Sequence, residues 1–509
     1  MAFWRSFAQP LRYAALLAGA LPVLAFPALD LEFVAWIGLV PGFLLLRAAP
    51  TGREASVRGW WFGAGYLLAA LYWLTPNLGP GLLLVVIVLG APWAGVGYAA
   101  WRLLRASPKG PGVWQALAAL LVLPSSWVVI DWIRSWQGIG GPWAVYGASQ
   151  WQHPMVLALA AVGGIWLVSF VLVAANTGIV IALTGSDLVS RAIGVAAAIV
   201  AIAAGPAAYS LTAAEYAVLP TWQVTLALVQ PGHQPSPSAS LATEIRLSRR
   251  VHGADLIVWG ETSVSYDLYA DRAVLDRLIR LSDRVGVHLL VSQDAVSPAG
   301  AKSKVAVLIG PGGIAGTYVK SRLVPFGEYI PFRSLLGWLT KISRAAPQNM
   351  VTGPGAHVLH ATLASGRRLT FGVLICFESS FPDMAGADTR QGAQVLVYQT
   401  SDSTFQGSWA LEQHASLAAI RAAETGRPAV QAALTGDSAA FDSRGRQLGW
   451  LSSSQRGVLR VRLALPPVSI RTPFDRFGDY VPWFAIAVVA IGLLWALNAR
   501  DLLRRLWRS

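Results

Sequence analysis

Three polar residues of complementary types each follow an apolar, strand-like run of the sequence. Glu261 comes after DLIVWG, Lys320 after GTYV and Cys376 after FGVLI. A carboxylate can accept the proton of a thiol, an ammonium favours the thiolate and then an oxyanion, and a thiolate attacks a carbonyl to form an acyl-enzyme. Each residue alone has an ordinary structural explanation, as a solvated strand end, a surface charge or a small core residue. Together they predict a site for acyl-group chemistry.

Cys376 is the only cysteine in the chain, so it cannot form an internal disulfide. It is therefore either a buried structural residue or a reactive one. The β-branched, apolar run before it indicates a buried strand, and Phe377, Glu378 and two serines after it indicate a tight turn. A strand that ends on a cysteine in this way presents a nucleophile at the edge of a sheet.

The composition indicates a membrane protein. Of 509 residues, 54% are hydrophobic and 13% are charged, and the mean hydropathy is +0.50. A soluble protein carries about 25% charged residues. The net charge is +14, but the basic residues are concentrated in short loops and the C-terminal tail. This distribution indicates membrane topology, and we expect no nucleic-acid partner.

The apolar runs have the length of membrane-spanning helices, which need roughly 20 apolar residues. The candidate spans lie near 12–28, 32–48, 58–76, 80–104, 113–134, 155–184, 189–210 and 480–499. Basic residues fall in alternate connections, which the positive-inside rule assigns to the cytoplasm. These residues are Arg5, Arg12, Arg47, Arg53, Arg58, Arg102, Arg105, Lys109, Arg191, Arg500, Arg504, Arg505 and Arg508. The segment from about 212 to 478 is then predicted to lie outside.

The sequence predicts a polytopic α-helical membrane domain and an α/β extracytoplasmic domain. Residues 1–211 hold seven transmembrane helices, 212–478 alternate strands and helices as a layered catalytic domain, and 479–509 form the last helix and a basic cytoplasmic tail. In the polar connection 131–154, Asp131 and Arg134 either pair with each other or form an entrance feature within the membrane. Segment 333–352 is amphipathic, as a surface helix or a lipid-contacting arm would be.

Several motifs match those of one known family. The most specific is YVKSRLVPFGEYIPF (Tyr318 to Phe332), which is close to the family pattern Y-x-K-x-x-L-V-P-F-G-E-x-x-P. The others are ICFES at Cys376, EQHASLAAIRAAETGRP (Glu412 to Pro428), TGDSAAFDSRGR (Thr435 to Arg446), DWIR…GPW (Asp131 to Trp143) and TPFDRFGD (Thr472 to Asp479). On these residues, and over nearly its whole length, the chain resembles the apolipoprotein N-acyltransferases, the integral-membrane members of the nitrilase superfamily.

The resemblance implies a fold and a role for each site residue. The fold would be a nitrilase-like α-β-β-α sandwich on about eight transmembrane helices. Glu261 would be the general base, Lys320 the oxyanion-stabilising lysine and Cys376 the nucleophile. Glu328 and Glu378 match supporting acidic positions, and we hypothesise that such a glutamate orients the lysine. Phe377 stands beside the nucleophile as a further supporting residue.

The resemblance also implies the substrates and the cellular location. A phospholipid would donate the acyl chain, and the diacylglyceryl-cysteine of an apolipoprotein would accept it in a ping-pong reaction. The protein would be a multi-pass component of the bacterial cytoplasmic membrane, with the catalytic domain on its outer face. We expect a monomer that needs no cofactor. A membrane-tethered amidase with the same triad, and a transporter with an outer binding domain, are the alternatives.

The chain departs from the family at several positions. Phe377 replaces the usual tyrosine after the nucleophile, and the usual P-E-T is GET at Gly260 to Thr262. The usual tryptophan is missing from Val229 to Ser240, and TSDSTFQG (Thr400 to Gly407) replaces N-D-A-W-F-G. No catalytic residue is lost, so these changes bear on substrate preference more than on reaction type.

No metal is expected, because the seven histidines form no HExxH-type pattern, and the chain has no GxxxxGK[ST] loop for a nucleotide. His414, in EQHAS, is interpreted as a structural hydrogen-bonding residue rather than a metal ligand.

Overall fold

The computed structural model describes residues 10–105, 110–217, 222–296, 300–341, 346, 348–405 and 407–506. Three of the basic residues used above for topology, Arg5, Lys109 and Arg508, lie outside these ranges. Residues 342–345 and 347 of the amphipathic segment also lie outside them.

The N-terminal part is built from helices, as the apolar runs predict. Each predicted span coincides with helical structure, interrupted by short 3-10 turns. The α-helices are α1 (Pro10–Ala20), α2 (Val40–Arg47), α3 (Gly52–Leu71), α4 (Thr75–Leu78), α5 (Gly81–Gly90), α6 (Trp93–Arg105), α7 (Val113–Arg134), α8 (Pro154–Thr184) and α9 (Leu188–Ala217).

Within the described residues, four helical stretches are long and apolar enough to cross a membrane. They are Gly81–Arg105, Val113–Arg134, Pro154–Thr184 and Leu188–Thr212, and the apolar stretches Pro10–Ala25 and Tyr480–Trp495 are shorter. A helical membrane domain is therefore confirmed. The predicted spans at 32–48 and 58–76 are the least regular: α2 has 8 residues, and α3 begins with charged residues. Glu54 of α3 pairs internally with Arg12 and Arg58, at 2.5 and 3.2 Å.

The C-terminal part contains two six-stranded sheets with matching topology. The first runs β12-β1-β2-β3-β4-β5, and the second runs β11-β10-β9-β8-β7-β6. The strands of the first sheet are β1 (Trp222–Gln230), β2 (Leu256–Trp259), β3 (His288–Val296), β4 (Lys302–Gly310), β5 (Gly313–Val319) and β12 (Gly457–Leu465). Those of the second are β6 (Val358–Thr362), β7 (Arg368–Ile375), β8 (Val395–Thr400), β9 (Ala429–Ala433), β10 (Ser438–Phe441) and β11 (Gln447–Leu451).

Parallel strands lie at the centre of each sheet, and Glu261 and Cys376 follow two of them, β2 and β7, whereas Lys320 follows the antiparallel edge strand β5. The pairs β1–β2 and β2–β3 are parallel in the first sheet, and β7–β8 and β8–β9 in the second. Antiparallel strands flank both centres. The carboxyl ends of neighbouring parallel strands meet at one edge, which is where α/β sheets place their ligands.

Helices cover the outer face of each sheet and complete four layers. The remaining helices are α10 (Pro237–Ser248), α11 (Arg272–Val285), α12 (Arg333–Leu336), α13 (Pro382–Arg390), α14 (Ala410–Thr425), α15 (Pro473–Phe477) and α16 (Tyr480–Leu506). Leu226 and Leu228 of β1 point into the core shared with the second sheet, whereas Ala227 and Val229 pack under α10 and α11. Helices α13 and α14 cover the second sheet. The α-β-β-α arrangement is thereby confirmed.

The second sheet's helices rest on the membrane helices at a broken turn of α8. The backbone of α8 leaves helical geometry at Gly163 and Gly164, and the amide of Ile165 just beyond donates to Glu424 Oε1 of α14 at 2.8 Å. Asp479 accepts from the indoles of Trp132 and Trp166, at 2.8 and 2.9 Å. These contacts, which we call the seat, fix the catalytic domain against α7 and α8.

Several elements differ from the sequence-based expectations. β6 and α13 are not anticipated, and the closing pair of strands near 438–463 is a set of three, β10 to β12. The amphipathic segment forms only the short helix α12 and a 3-10 turn, Gly337–Lys341, within its described residues. Phe332, Leu335 and Trp338 are nevertheless exposed there, as an apolar face requires.

We predict that Gly164→Ala destabilises the seat. Gly164 has φ +70 and ψ −177, a region that favours glycine, and an added Cβ would lie 2.5 Å from the Phe474 ring. We expect a loss of about 3 kcal/mol from strain and overlap. The apparent Tm of the purified protein in detergent measures this. Gly81→Ala is the matched control, because nothing lies within 4 Å of its Cβ position; equal Tm values for both variants would contradict the prediction.

Candidate active site

The ends of three strands bring Glu261, Lys320 and Cys376 into one cluster between the two sheets. Glu261 follows β2, Lys320 follows β5 and Cys376 follows β7. Lys320 Nζ lies 3.3 Å from Glu261 Oε1, and Cys376 and Glu261 are close enough for each to shift the pKa of the other. The structure therefore places the three predicted catalytic residues together.

Glu261 is held by a close approach of the two sheets. Its amide donates to Thr400 O of β8 at 3.1 Å. An added Cβ at the preceding Gly260 would lie 2.3 Å from the amide nitrogen of Leu434. Glycine at this position, one of the departures from the family pattern, is thus required by the local packing. Thr262, on the other side, adopts φ +55.

Lys320 is fully buried and is neutralised by two carboxylates. Its Nζ donates to Glu328 Oε1 at 2.8 Å and to Glu261 Oε1 at 3.3 Å, and its side chain has 0% exposure. Glu328 is fixed in turn, because its Oε2 accepts from the amide of Val324 at 2.9 Å. Glu328 therefore has the lysine-orienting contact that we expected of a supporting glutamate.

Cys376 begins a short 3-10 turn, Cys376–Ser380, directly after β7. It adopts φ +53, which is costly for any residue with a Cβ. The residue is half-buried and lines a cavity described below. A strained turn after a buried strand matches the expected geometry of a presented nucleophile.

Glu378, the other supporting acid, makes a different set of contacts from Glu328. Its carboxylate joins the turn at Cys376 to the segment that follows Lys320. It accepts from the amides of Ser321, Arg322 and Ile375 at 2.7, 2.9 and 2.8 Å, and from the hydroxyl of Tyr318 at 2.8 Å. Glu378 thereby fixes the lysine and the thiol relative to each other.

The resting protonation states follow from burial and charge. Burial raises the pKa of Glu261, but the ammonium groups of Lys320 and Lys304 and the hydrogen bond from Lys320 outweigh it, so this pKa lies below its usual range. Burial and the Glu261 charge raise the pKa of Cys376 well above that of a free thiol, although Lys320 opposes them. Burial lowers the pKa of Lys320, but Glu261 and Glu328 hold it well above its usual value. The site therefore rests as a carboxylate, an ammonium and a neutral thiol.

Sequence reasoning understated a fourth group, the pair Asp402 and His414. His414 Nδ1 lies 2.7 Å from Asp402 Oδ1, and Nε2 lies 3.1 Å from both the carbonyl oxygen of Cys376 and Ser379 Oγ. Burial lowers the pKa of His414, but the charge and hydrogen bond of Asp402 raise it overall, so the ring donates to the nucleophile's turn. Ligand atoms of Cys376, Asp402 and His414 lie within 4.8 Å of one another. Because both ring nitrogens are already hydrogen-bonded, the structural interpretation of His414 fits this arrangement.

An apolar cavity of about 400 Å³ leads from Cys376 toward the membrane helices. Its lining near the site includes Cys376, Phe377 and His414, and its far wall consists of residues from α3, α4 and α5 and the turn between α3 and α4. These far-wall residues are Leu71, Trp73, Leu74, Asn77, Leu78, Val85 and Leu89. The cavity thus connects the thiol with the part of the chain that lies in the bilayer.

The connection between α7 and α8 forms part of the cavity wall. Asp131 and Arg134 pair at 3.0 Å, and both are buried; Arg134 also donates to Trp143 O at 2.8 Å and lines the cavity. Gly141, with φ +85, lies against Phe377, whose ring an added Cβ would approach to 2.4 Å. The interpretation of Asp131 and Arg134 as an internal ion pair is therefore confirmed, and an entrance role for this connection stays a prediction.

Comparison with known proteins places the chain among acyltransferases. A family model described as apolipoprotein N-acyltransferase N-terminal domain matches residues 18–178, and one described as carbon-nitrogen hydrolase matches residues 218–469. The apolipoprotein N-acyltransferase of Pseudomonas aeruginosa PAO1 is 30% identical over 96% of this chain and 96% of its own length. The enzyme of the same name from Geobacter metallireducens is 28% identical, over 94% and 93%.

Solved structures of an amidase and of a carbon-nitrogen hydrolase match about half of the chain. A variant of the amidase from Nesterenkonia sp. AN1 is 22% identical over 47% of this chain and 92% of its own, with a TM-score of 0.35. A carbon-nitrogen hydrolase from Helicobacter pylori G27 is 16% identical over 48% and 89%, with a TM-score of 0.38.

The fold and the family models define a membrane-associated enzyme with a carbon-nitrogen hydrolase domain. The chain belongs to the apolipoprotein N-acyltransferase family. The predicted family is thereby confirmed. The function class of N-acyltransferase is confirmed as well, in preference to a membrane-tethered amidase or a transporter.

We predict that Glu378→Gln lowers activity without unfolding the protein. Both oxygens of the Glu378 carboxylate accept hydrogen bonds from backbone N–H groups. In glutamine an NH₂ group replaces one of these oxygens and cannot accept, so we expect the turn at Cys376 to shift relative to Lys320. We expect a loss of about 10²-fold in acyl transfer, measured with purified protein in detergent. Glu412→Gln, at a half-buried position of α14, is the matched control. Equal rates for the two variants would show that Glu378 does not align the site.

Proposed function

We propose that the chain transfers a fatty acyl chain from a membrane phospholipid to the α-amino group of an N-terminal diacylglyceryl-cysteine. The reaction proceeds through a thioester on Cys376 and follows a ping-pong order. Glu261 is the general base, Lys320 stabilises the oxyanion, and Glu328 and Glu378 hold these groups in place. Family membership supports the lipoprotein acceptor, and the contacts of the site support the assigned roles.

In the first half-reaction the thiol proton moves to Glu261 as Sγ attacks the ester carbonyl carbon of the donor. The tetrahedral oxyanion is met by Lys320 Nζ, which has three N–H donors and uses two of them on Glu261 and Glu328. The intermediate then expels the alcohol oxygen of the lysophospholipid, which takes the proton from Glu261. A thioester on Cys376 remains.

In the second half-reaction the amine of the acceptor attacks the thioester carbonyl. Glu261 accepts a proton from the attacking nitrogen, and Lys320 again faces the oxyanion. When the C–S bond breaks, the sulfur leaves as a thiolate and takes the proton back from Glu261. An amide and the resting thiol result, so no cofactor is needed for the balance.

The observation that carries the choice of donor is the apolar cavity between Cys376 and the membrane helices. Its volume of about 400 Å³ and its wall of leucine, valine and aromatic side chains suit an acyl chain. A soluble amide would need no such path toward α4 and α5. Because both substrates are lipids anchored in the bilayer, one entrance from the membrane side serves both.

The proposal includes the placement of the parts of the chain. Residues 1–211 and 479–509 are the membrane parts, and 212–478 form the catalytic domain on the outer face of the bacterial cytoplasmic membrane. The positions of the basic residues between spans support this orientation. We propose that the active unit is a monomer, because the described site draws its residues from one chain.

The acyl-enzyme is tested by intact mass. We expect purified protein in detergent to gain the mass of one fatty acyl group when mixed with phospholipid, and to lose it when a diacylated lipopeptide is added. Because Cys376 is the only cysteine, Cys376→Ala should abolish the adduct, and Glu261→Gln should slow its formation by about 10²-fold or more. Glu412→Gln serves as the matched carboxylate control.

Other outcomes of this experiment are equally informative. An adduct that only water or a small amine discharges would overturn the lipoprotein acceptor and favour an amidase. If the folded protein forms no adduct, the proposal that a phospholipid donates the acyl chain is overturned.

The acyl path is tested by filling the cavity. Leu89→Trp adds bulk on the far wall in α5, so we expect adduct formation from long-chain phospholipids to fall at least about tenfold, with short chains affected less. Leu117→Trp, at an exposed position of α7, should leave the rate unchanged. Equal effects of both variants, or no dependence on chain length, would contradict the assignment.

A further inference from the structure

A second lysine stands at the catalytic carboxylate, and neither the sequence motifs nor the proposed mechanism uses it. Lys304 lies on β4, and its Nζ is 3.9 Å from Glu261 Oε1. Only 13% of its side chain is exposed. Two ammonium groups, those of Lys304 and Lys320, therefore converge on one oxygen of Glu261.

Lys304 is fixed in this position by a neighbouring strand. It is the cross-strand partner of Asp294 on β3, and the two side chains pair at 2.9 Å. Its Nζ also donates to Thr262 Oγ1 at 2.5 Å, and Thr262 Oγ1 donates to Asp294 Oδ1 at 3.2 Å. Thr262 follows Glu261 directly and adopts φ +55. Lys304 thus contacts both the carboxylate and the strained residue that sets its direction.

We propose that Lys304 is a positioning residue for the general base: its ammonium group lies beside the Oε1 that Lys320 hydrogen-bonds and stabilises the negative charge there, so that the other carboxylate oxygen takes the thiol proton of Cys376. This inference rests on the proposed function and deepens it. The alternative is that Lys304 only forms a partly exposed ion pair with Asp294, and such a pair contributes little to stability.

The charges around Glu261 support the proposal over the alternative. Lys304 faces Glu261 from β4, Lys320 from the end of β5 and Cys376 from the end of β7. The charge of Glu261 also raises the pKa of His414 on α14. Asp294 and Glu328 lie behind the two lysines. Lys320 and Lys304 are the two largest charge effects that lower the pKa of Glu261 against its burial. Removing the Lys304 charge therefore raises that pKa, and with it the acidic limit of base catalysis.

The experiment compares pH profiles of Cys376 reactivity in the full-length protein in detergent. Two probes are used: thioester formation from phospholipid, and alkylation of the single thiol by iodoacetamide, which requires the base but no lipid. In each profile the acidic limb is the pH range in which reactivity falls as the pH is lowered. For Lys304→Met we expect the midpoint of this limb to lie about one pH unit higher than in the unmodified protein. Lys304→Arg keeps the charge and should restore the limb. Lys302→Met, at an exposed position of the same strand, should not move it.

Asp294→Asn separates charge from structure. It breaks the same ion pair but leaves the Lys304 ammonium beside Glu261, so the limb should stay or move to lower pH. If Asp294→Asn raises the limb as Lys304→Met does, the pair is only structural and the proposal is overturned. An unmoved limb in Lys304→Met also overturns it. A shifted alkylation limb in a protein that forms no phospholipid adduct would support Lys304 while rejecting the proposed donor.

Discussion

The buried ammonium of Lys320 is the interaction on which the site depends. An isolated charge inside a protein is very costly, and it persists only when it is paired and hydrogen-bonded. Glu261 and Glu328 provide the pairing, from the end of β2 in the first sheet and from the loop after β5. The same electrostatics keeps Glu261 a carboxylate, and burial together with the charge of Glu261 raises the pKa of Cys376, so that it rests as a thiol. The thiolate then forms as its proton moves to Glu261, next to a cation ready for the oxyanion.

The membrane helices contribute more than an anchor. The seat at Gly164, Glu424 and Asp479 fixes the second sheet's helix α14 against α8, and α14 also carries His414, whose ring holds the carbonyl of Cys376. One helix therefore links the membrane contact to the turn of the nucleophile. The cavity extends from Cys376 to α3, α4 and α5 beside these layers, and the proposed acyl donor would use this path.

Much of the fold and site could be predicted from the sequence because the information is local. Apolar runs predict spans and buried strands, and Glu261, Lys320 and Cys376 stand at strand ends. The ends of β2 and β5 in the first sheet and of β7 in the second meet where the two sheets pack together. The remainder depends on register. From the sequence, Lys304 is an ordinary charged residue of a strand. Only the register that pairs it with Asp294 shows that it lies beside Glu261. Likewise the role of Glu378 follows from donors that lie 57 and 56 residues earlier in the chain, at Ser321 and Arg322, which no local pattern reveals.

The departures from the family pattern fall on two sides of the site. Gly260 is on the protein side, where the sheets approach too closely for a Cβ, so it preserves the position of Glu261. Phe377 and the segment Ser403 to Phe405 line the cavity; the Phe377 ring packs edge-on against Phe381 at 5.1 Å. With phenylalanine in place of tyrosine, this part of the cavity wall is apolar. Because Glu261, Lys320 and Cys376 keep their contacts on the protein side, these departures bear on what the cavity accepts and not on the arrangement of the three residues.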